Sequence, residues 1–493
     1  MKKINKKDII FFIVTIIIAV ITYNKYITVH YSTDMYNIIN KGYIDYIISN
    51  SLTDGRLFVS IYLFIGDFLK IKPEIYKCAI TIIAIIINAI SVLKLKSIIS
   101  KYKPAKNLYI ETIIYIIAYC IIFNFIEVEL LYYIESAAMN MSILLIIFAT
   151  DIFIKKEKYY YLKSIFLCIL SVICYQATIP LFIALIITFS IIKNKNNYKE
   201  VFKDILKAIS IILLAILVNV LIVKITTSIL NTTQSRISFN IKKMWENFKY
   251  ITNNIFWIFI NQCNIYIDGM FLSLIILLCI LALYESVRQK ENHILNVLLI
   301  VFITVLTNFA MHIPSLSAYY AGRTKYAVGA IIGLIFMYMY INTKIWDKEN
   351  FRSNFIMIML ITYLCSNIIS ATTLIDYHKQ VNELEKIETL KIKEYIEEYE
   401  KNNNIEIKNI GLIVICNEEE KGYFEEVKNK SVITQNAVKT KWSSNGAINF
   451  YTGRKFQKID LNIEESLKYL QYFNENDYYI CVGDTIYVKV YNY

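Results

Sequence analysis

The sequence predicts an α-helical polytopic membrane protein with a small soluble domain at its C-terminal end, and three observations carry that prediction. Hydrophobic side chains make up 56% of the 493 residues and charged ones only 19%, too little polar surface for a water-soluble chain of this length. The apolar residues fall in blocks of roughly 20, which matches the thickness of a hydrocarbon core. The blocks are continuous runs of Ile, Leu and Phe, not short alternating segments, and that excludes a transmembrane barrel.

The net charge of +12 does not point to nucleic acid. Its lysines are scattered through connecting loops instead of being gathered on one soluble face, which fits the bias of Lys and Arg towards cytoplasmic loops. Most of the nine cysteines lie inside apolar runs, where a thiol behaves as a small hydrophobe. Only Cys416 and Cys481 fall in the tail, and two thiols define no disulfide framework.

The first apolar run, residues 8–29, follows Met-Lys-Lys-Ile-Asn-Lys-Lys. It is longer than the core of a signal peptide and has no small-residue cleavage site, so it reads as an uncleaved span with a cytoplasmic N-terminus. Residues 30–56 are then external and interfacial, because Met35, Ile38, Ile39, Tyr43, Tyr46 and Ile47 recur at helical spacing. Segment 57–69 is short of a full span and carries Asp67. Spans at 75–93, 108–125 and 137–154 alternate with lysine-rich stretches at 94–106 and 155–163, which belong in the cytoplasm. Residues 126–136 become a short acidic outer loop.

Between positions 163 and 193 stand Tyr175-Gln176 and Pro180. Proline inside a helix removes a hydrogen bond and clashes with the preceding turn, so two short helices meeting at 175–180 are expected in place of one span. Spans at 205–225, 270–287, 293–311, 326–341 and 355–375 complete a count of about eleven, with a long outer loop at 226–269. An odd count puts the tail outside the cell. The expected organisation is a membrane domain over 1–375 and an extracytoplasmic α/β domain over 376–493. In that domain the pattern predicts a charged helix over 376–402 with an apolar stripe of Val381, Leu384, Ile387 and Leu390. A strand at 410–415, a helical Glu-Glu-Val-Lys segment, a turn at Asn445-Gly446 and a last strand at 485–490 follow.

The outer loops hold the ionisable groups of interest: Asp34, Asp45, Asp54, Arg56, Glu127, Glu129, Glu135, Asp268, His312, Arg323 and Lys325. Asp34 lies just past the first span among Tyr31 and Tyr36, where partial desolvation raises a carboxylate towards the range useful in a base. Arg56 either reaches lipid phosphate or holds an anionic substrate. Gln176 either bonds sugar hydroxyls or satisfies the backbone opened at Pro180. His312 has no second His or Cys near it in sequence. Zinc-ligand spacing, a Walker loop, a Rossmann glycine fingerprint and a nucleophilic Ser elbow are all absent, which argues against an ATPase and against a cytosolic nucleotide-sugar domain.

Taken in order, one span, an early outer Asp34, Asp54-Gly55-Arg56, Tyr175-Gln176 at a membrane break and an outer Ala321-Gly322-Arg323 resemble the GtrII-type glucosyltransferases. These fall within the wider GT-C class of multispan enzymes that use lipid-linked sugars, and the resemblance covers residues 1–375. It implies transfer of a hexose from a polyprenyl-phosphate donor to a cell-surface glycan on the outer face of the membrane. Asp34 would be the base, Glu127 or Glu129 its substitute or an orienting group, and Asp54, Arg56, Gln176, Arg323 and Lys325 substrate contacts. Gly322 would let the donor phosphate approach the backbone. Many members carry two adjacent acids in the first outer loop; here Met35 follows Asp34, which weakens any metal-binding role and leaves no cofactor implied with certainty. Two other functions fit the setting. A polymerase or ligase would work through the 226–269 loop, with Arg236, Lys242 and Lys243 as its cations. A flippase or transporter would place ionisable groups near the membrane midplane.

Overall fold

The computed structural model describes residues 6–195, 197–232, 240–257, 269–314, 322–347, 351–415, 435–474 and 477–491. Among these residues nine helices are long and apolar enough to cross a membrane, and three shorter apolar helices accompany them. The chain is a multi-pass membrane protein.

The N-terminal part runs through α1 (Lys6–Ile27), the short helices α2 (Thr33–Lys41) and α3 (Tyr43–Tyr46), α4 (Leu57–Phe68), α5 (Pro73–Tyr102) and α6 (Leu108–Ile122). Pro73 opens α5 at a position where its missing N–H would have no partner anyway. Asn107 caps α6 by accepting from the Ile110 N–H at 2.9 Å. Next come α7 (Glu127–Tyr132), α8 (Ser136–Lys155), α9 (Tyr160–Cys174), α10 (Pro180–Asn194) and α11 (Tyr198–Ile229). The break expected at 175–180 is present: α9 ends at Cys174, a 3-10 turn covers Gln176–Thr178, and Pro180 starts α10. At 15 residues each, α6 and α9 are roughly 22 Å long. They fall at two of the eleven segments expected from the sequence but are shorter than the nine helices above.

The second half contains α12 (Ile241–Trp257), α13 (Met270–Gln289), α14 (His293–Ala310), α15 (Tyr326–Gly329), α16 (Ile331–Asn342) and α17 (Phe351–Asn403). α10 and α16 are buried on nearly every face and form the centre of the bundle. α1, α11 and α13 turn Ile and Leu outward. Two expectations change here. The 226–269 segment is partly helical, since α11 continues to Ile229 and α12 follows. The 126–136 segment is no solvated loop: every residue of α7 is buried.

Lysines gather at one end of the bundle. Asp151 near the end of α8 binds Lys94, Lys101 and Lys155, while Lys96 binds Asp8 and Glu111. The opposite end carries α2, α3, α7, the 175–179 break and the C-terminal sheet.

One helix joins the two parts, for α17 runs 53 residues without interruption from the bundle to the sheet. That sheet contains β1 (Asn409–Ile415), β2 (Gln457–Ile459), β3 (Tyr479–Val482) and β4 (Thr485–Tyr491), with helices α18 (Ser444–Thr452) and α19 (Ile463–Leu470) between them. Its order is β2-β1-β4-β3, parallel except for the antiparallel β3–β4 hairpin. The turn expected at Asn445-Gly446 is instead the first turn of α18. Gly446 is needed there for a different reason: a Cβ would come within 2.5 Å of the Tyr36 carbonyl oxygen on α2. The Glu-Glu-Val-Lys segment and Cys416 lie outside the described residues, and Cys481 is a buried free thiol.

The apolar stripe expected beyond position 376 is also corrected. Ile387 and Leu390 are exposed, and the face that packs inward carries His378, Val381, Asn382, Glu385 and Thr389. Those polar groups fasten the C-terminal domain to α2. Glu385 accepts from the Ala437 N–H, from Tyr36 Oη at 2.9 Å and from Asn382 Nδ2 at 3.1 Å. Asn382 also binds the Tyr31 N–H and carbonyl, each at 3.0 Å, and Asn449 reaches Asn40 at 2.8 Å.

Glu385 lies beyond the apolar half of α17, and burial raises its carboxyl from 4.5 to about 7 against the opposing pull of its three donors. A raised acid binds its proton more tightly when docked, so its contribution is complete below 4.5 and lost as pH rises through about 7. The loss is on the order of 3 kcal/mol. Resistance of the C-terminal domain to trypsin in the full-length protein should therefore weaken as pH rises across this window. Glu385→Gln should make the profile flat.

Candidate active site

The end of the bundle opposite the lysines brings five separated segments together: the start of α2, the turn before α4, α7 with the start of α8, the 175–179 break, and the 3-10 turn Gly322–Lys325 ahead of α15. Each segment is an interruption between helices, where backbone groups lack intrahelical partners and polar side chains are needed to supply them.

Asp34 stands half-buried in the first turn of α2, where a carboxylate also faces the positive end of the helix dipole. The preceding Thr33 N–H donates to Tyr132 Oη at 3.1 Å, and the Asp34 charge acts on the same phenol. Tyr132 sets its ring at 87° to that of Tyr133, with centroids 4.7 Å apart. The Arg323 guanidinium carbon lies 4.3 Å from the Tyr133 ring centroid, and Nη1 donates to Tyr133 Oη. The Arg323 N–H donates to Glu129 Oε2 at 2.8 Å. Asp34 and Arg323, 289 positions apart in sequence, are thus linked through two adjacent tyrosines.

A second cluster adjoins the first. Arg56 Nη1 meets Glu135 Oε2 at 2.6 Å and Nη2 meets Asp54 Oδ2 at 3.4 Å, both acids being almost inaccessible to water. Tyr46 donates to the other Glu135 oxygen at 3.2 Å, and Arg56 lies 5.3 Å from the Tyr175 ring centroid. Gln176 Nε2 donates to the Asp54 carbonyl at 2.7 Å and to Asn219 Oδ1 at 3.3 Å, and Asn219 in turn donates to the Gly55 carbonyl at 2.9 Å. Gly55 has a φ of 73° and Asn219 fills the space a side chain would need, so only glycine suits this turn. Here Gln176 satisfies backbone opened at a break, and Arg56 is engaged by two carboxylates of the protein.

Of the residues singled out in the sequence, Asp34, Asp54, Arg56, Glu129, Gln176 and Arg323 converge. Glu127 turns the other way: it is fully buried, accepts from Asn88 Nδ2 at 2.8 Å, and burial raises its carboxyl well above the usual range. Lys325 is buried beside His312, whose imidazole is lowered to about 4 by burial and by the Lys325 charge. The room expected beside Gly322 for a phosphate is taken by the Glu129 carboxylate, which packs against its Cα. Asp268 and Arg236 lie outside the described residues, and on α12 Lys242 is exposed and Lys243 half-buried.

Sequence reasoning passed over Glu135 as a partner, and also Tyr133, Asn88 and Asn219. The two asparagines carried a readable signal, since an amide inside an apolar run is costly and marks a specific contact. Among the described residues no group of three or more His, Cys, Asp or Glu side chains is placed to hold a metal ion.

A multispan bundle that gathers two acid–arginine clusters where its helices break has the make-up of a membrane enzyme. More specifically, the chain belongs to the Glucosyl transferase GtrII family, whose pattern matches residues 26–340. That stretch contains every residue of both clusters. No curated protein matches the chain.

Removing Arg56 leaves the buried carboxylates of Glu135 and Asp54 without compensation, whereas removing Glu135 leaves Arg56 still paired with Asp54. Arg56→Gln should therefore destabilise the protein by about 3–5 kcal/mol, Glu135→Gln should cost less, and replacing Arg56, Glu135 and Asp54 together with apolar residues of similar volume should cost less than Arg56→Gln. Thermal unfolding of the three variants in detergent measures the difference.

Proposed function

We propose that the protein transfers glucose or another hexose from a polyprenyl-phosphate donor to a cell-surface glycan, with the site on the outer face of the cytoplasmic membrane and the lysine-rich end in the cytoplasm. The connection of Asp34 to Arg323 through the adjacent rings of Tyr132 and Tyr133 is the observation that supports this reading most directly. Segregation of lysines at the other end of the bundle supports the orientation.

The chemistry needs a base for the acceptor hydroxyl and cationic stabilisation for the departing phosphate. Asp34 takes the hydroxyl proton while that oxygen forms its bond to the anomeric carbon, and the bond from that carbon to the phosphate oxygen breaks. Polyprenyl phosphate leaves with the electron pair and needs no proton at neutral pH. Arg323, half-buried against the Tyr133 ring, supplies the positive charge that stabilises the departing phosphate. In-line attack inverts the anomeric centre. Glu129 and Tyr133 hold Arg323 in place, and Arg56, Asp54 and Glu135 brace the neighbouring wall. Clustering of these groups at one end of the bundle, away from its midplane, favours a transferase over a transporter.

Asp34→Asn keeps the shape and removes the base, so transfer should fall by about three orders of magnitude, the barrier rising roughly 1.4 kcal/mol per tenfold. Arg323→Lys keeps the charge and loses the planar fork, and turnover should drop about tenfold or more. Arg323→Ala should raise the half-saturating donor concentration more than that of the acceptor. Membranes supplied with radiolabelled polyprenyl-phosphate glucose and the envelope glycan of the producing cell provide the assay. Unchanged kinetics in Asp34→Asn would remove this residue as the base.

A further inference from the structure

A cavity of about 460 Å³ lies between the bundle and the C-terminal domain. Its walls come from three places: Tyr31 on the segment between α1 and α2, Lys379, Glu383 and Lys386 on α17, and Phe450 and Tyr451 on α18. We propose that this cavity binds the saccharide chain of the acceptor. The inference rests on the transfer reading above and adds to it the part of the protein that recognises the acceptor.

One side of the cavity is aromatic. The Tyr31 ring stands 5.0 Å from Phe450 and 6.2 Å from Tyr451, and Phe450 lies 4.9 Å from Tyr451 at 64°, all measured between centroids. These rings meet at tilted angles, so they present a stepped shelf with open faces and edges. The shelf is rigid because its polar atoms are tied down. Tyr451 Oη bonds to Tyr36 Oη at 2.9 Å, and the Tyr31 backbone is held by Asn382 on both its N–H and its carbonyl.

The other side is charged and only partly used. Lys379 donates to the Val29 carbonyl and to Thr28 Oγ1, which leaves one of its three ammonium hydrogens. Glu383 and Lys386 are exposed and make no hydrogen bond or ion pair among the described residues. A pyranose matches this combination, since its C–H faces cover aromatic rings and its rim of hydroxyls both donates to a carboxylate and accepts from ammonium groups. A lipid phosphate does not match it, because Glu383 would repel the anion and the aromatic shelf would be left uncovered. The volume falls in the range of small-molecule sites, roughly 300–1,000 Å³.

Its position suits the acceptor rather than the donor. Tyr31 precedes Asp34 by three residues, so a glycan lying on the shelf leads towards the proposed base. The donor phosphate belongs at Arg323, against the Tyr133 ring.

The full-length protein in membranes is assayed with polyprenyl-phosphate glucose held at saturation and the isolated envelope glycan of the producing cell titrated by mass. Phe450→Leu and the double change Glu383→Gln with Lys386→Gln should each raise the half-saturating glycan by about tenfold, equivalent to 1.4 kcal/mol. Maximal rate and half-saturating donor should stay at wild-type values, and Phe450→Tyr, which retains the ring, should restore glycan affinity. Both polar positions are exposed, so the double variant tests binding without disturbing the core. Unchanged glycan dependence in Phe450→Leu and in the double variant, with transfer intact, overturns the subsite. A second measurement separates this failure from failure of the transfer reading: retardation of the detergent-solubilised protein in a native gel cast with the same glycan. Retardation of wild type but not of the double variant, without any transfer, upholds the subsite and sinks the proposed reaction. Absence of both retardation and transfer sinks both.

Discussion

Lipid offers a backbone amide no hydrogen-bond partner, and the layout of this protein follows from that constraint. Within the bilayer each N–H and C=O is satisfied inside its own helix, so the chain can be interrupted only where side chains or neighbouring backbone replace the missing bonds. The turn before α4 is met by Gln176 and Asn219, which donate to the Asp54 and Gly55 carbonyls, and at the 175–180 break the Tyr175 carbonyl accepts from Ser142 and Thr178. The turn at Gly322 is met by Glu129, and the bend at Asn124 is closed by its own side chain on the Ile126 N–H. Groups that meet this structural need also make up the chemical surface, and for that reason the candidate site sits where the helices stop.

The two arginines at this end have different fates, and geometry decides between them. Arg56 faces two carboxylates at hydrogen-bond or ion-pair distance and is almost closed to water, so its charge is spent within the protein. Arg323 has a phenol, an aromatic face and a carboxylate that engages its backbone N–H. A guanidinium on a tyrosine is held in place and oriented by the ring face. For the proposed transfer from a lipid phosphate, the second arrangement is the useful one. The first serves better as a brace.

Much of this was legible in the sequence because hydrophobicity is a local property. Blocks of Ile and Leu gave the spans, Pro180 gave the break, and the runs at 410–415 and 485–490 gave the two central strands of the small sheet. Asp34, Arg56 and Arg323 stood out as charges beside apolar runs. The pairings among them were not legible. Nothing local distinguishes Glu135 from Glu127, yet one holds an arginine and the other is sealed against Asn88. Asn445-Gly446 has the composition of a turn, and the glycine is in fact required by the close approach of α18 to α2, a contact between positions 410 residues apart. Similarly, the charged stretch after 376 has its buried face set by polar groups, because its partner there is the polar start of α2 and not another apolar helix.

The docking of the C-terminal domain gives the candidate base its setting. α2 is only nine residues long, too short to be stable by itself, and its position is fixed from three directions. Met35 and Ile38 pack into the cluster around α4 and α5, Thr33 is bonded to Tyr132, and Tyr36 is buried against Glu385 and α18. Removing any one of these would loosen the short helix that carries Asp34, and a base misplaced by about 1 Å loses much of its rate. The soluble domain is therefore part of the scaffold that orients Asp34, through a hydrogen bond two residues away from it. Since α17 delivers that domain from inside the bundle without a flexible joint, the placement is rigid, and the acid and the arginine are held by one continuous framework although they belong to opposite ends of the membrane domain's sequence.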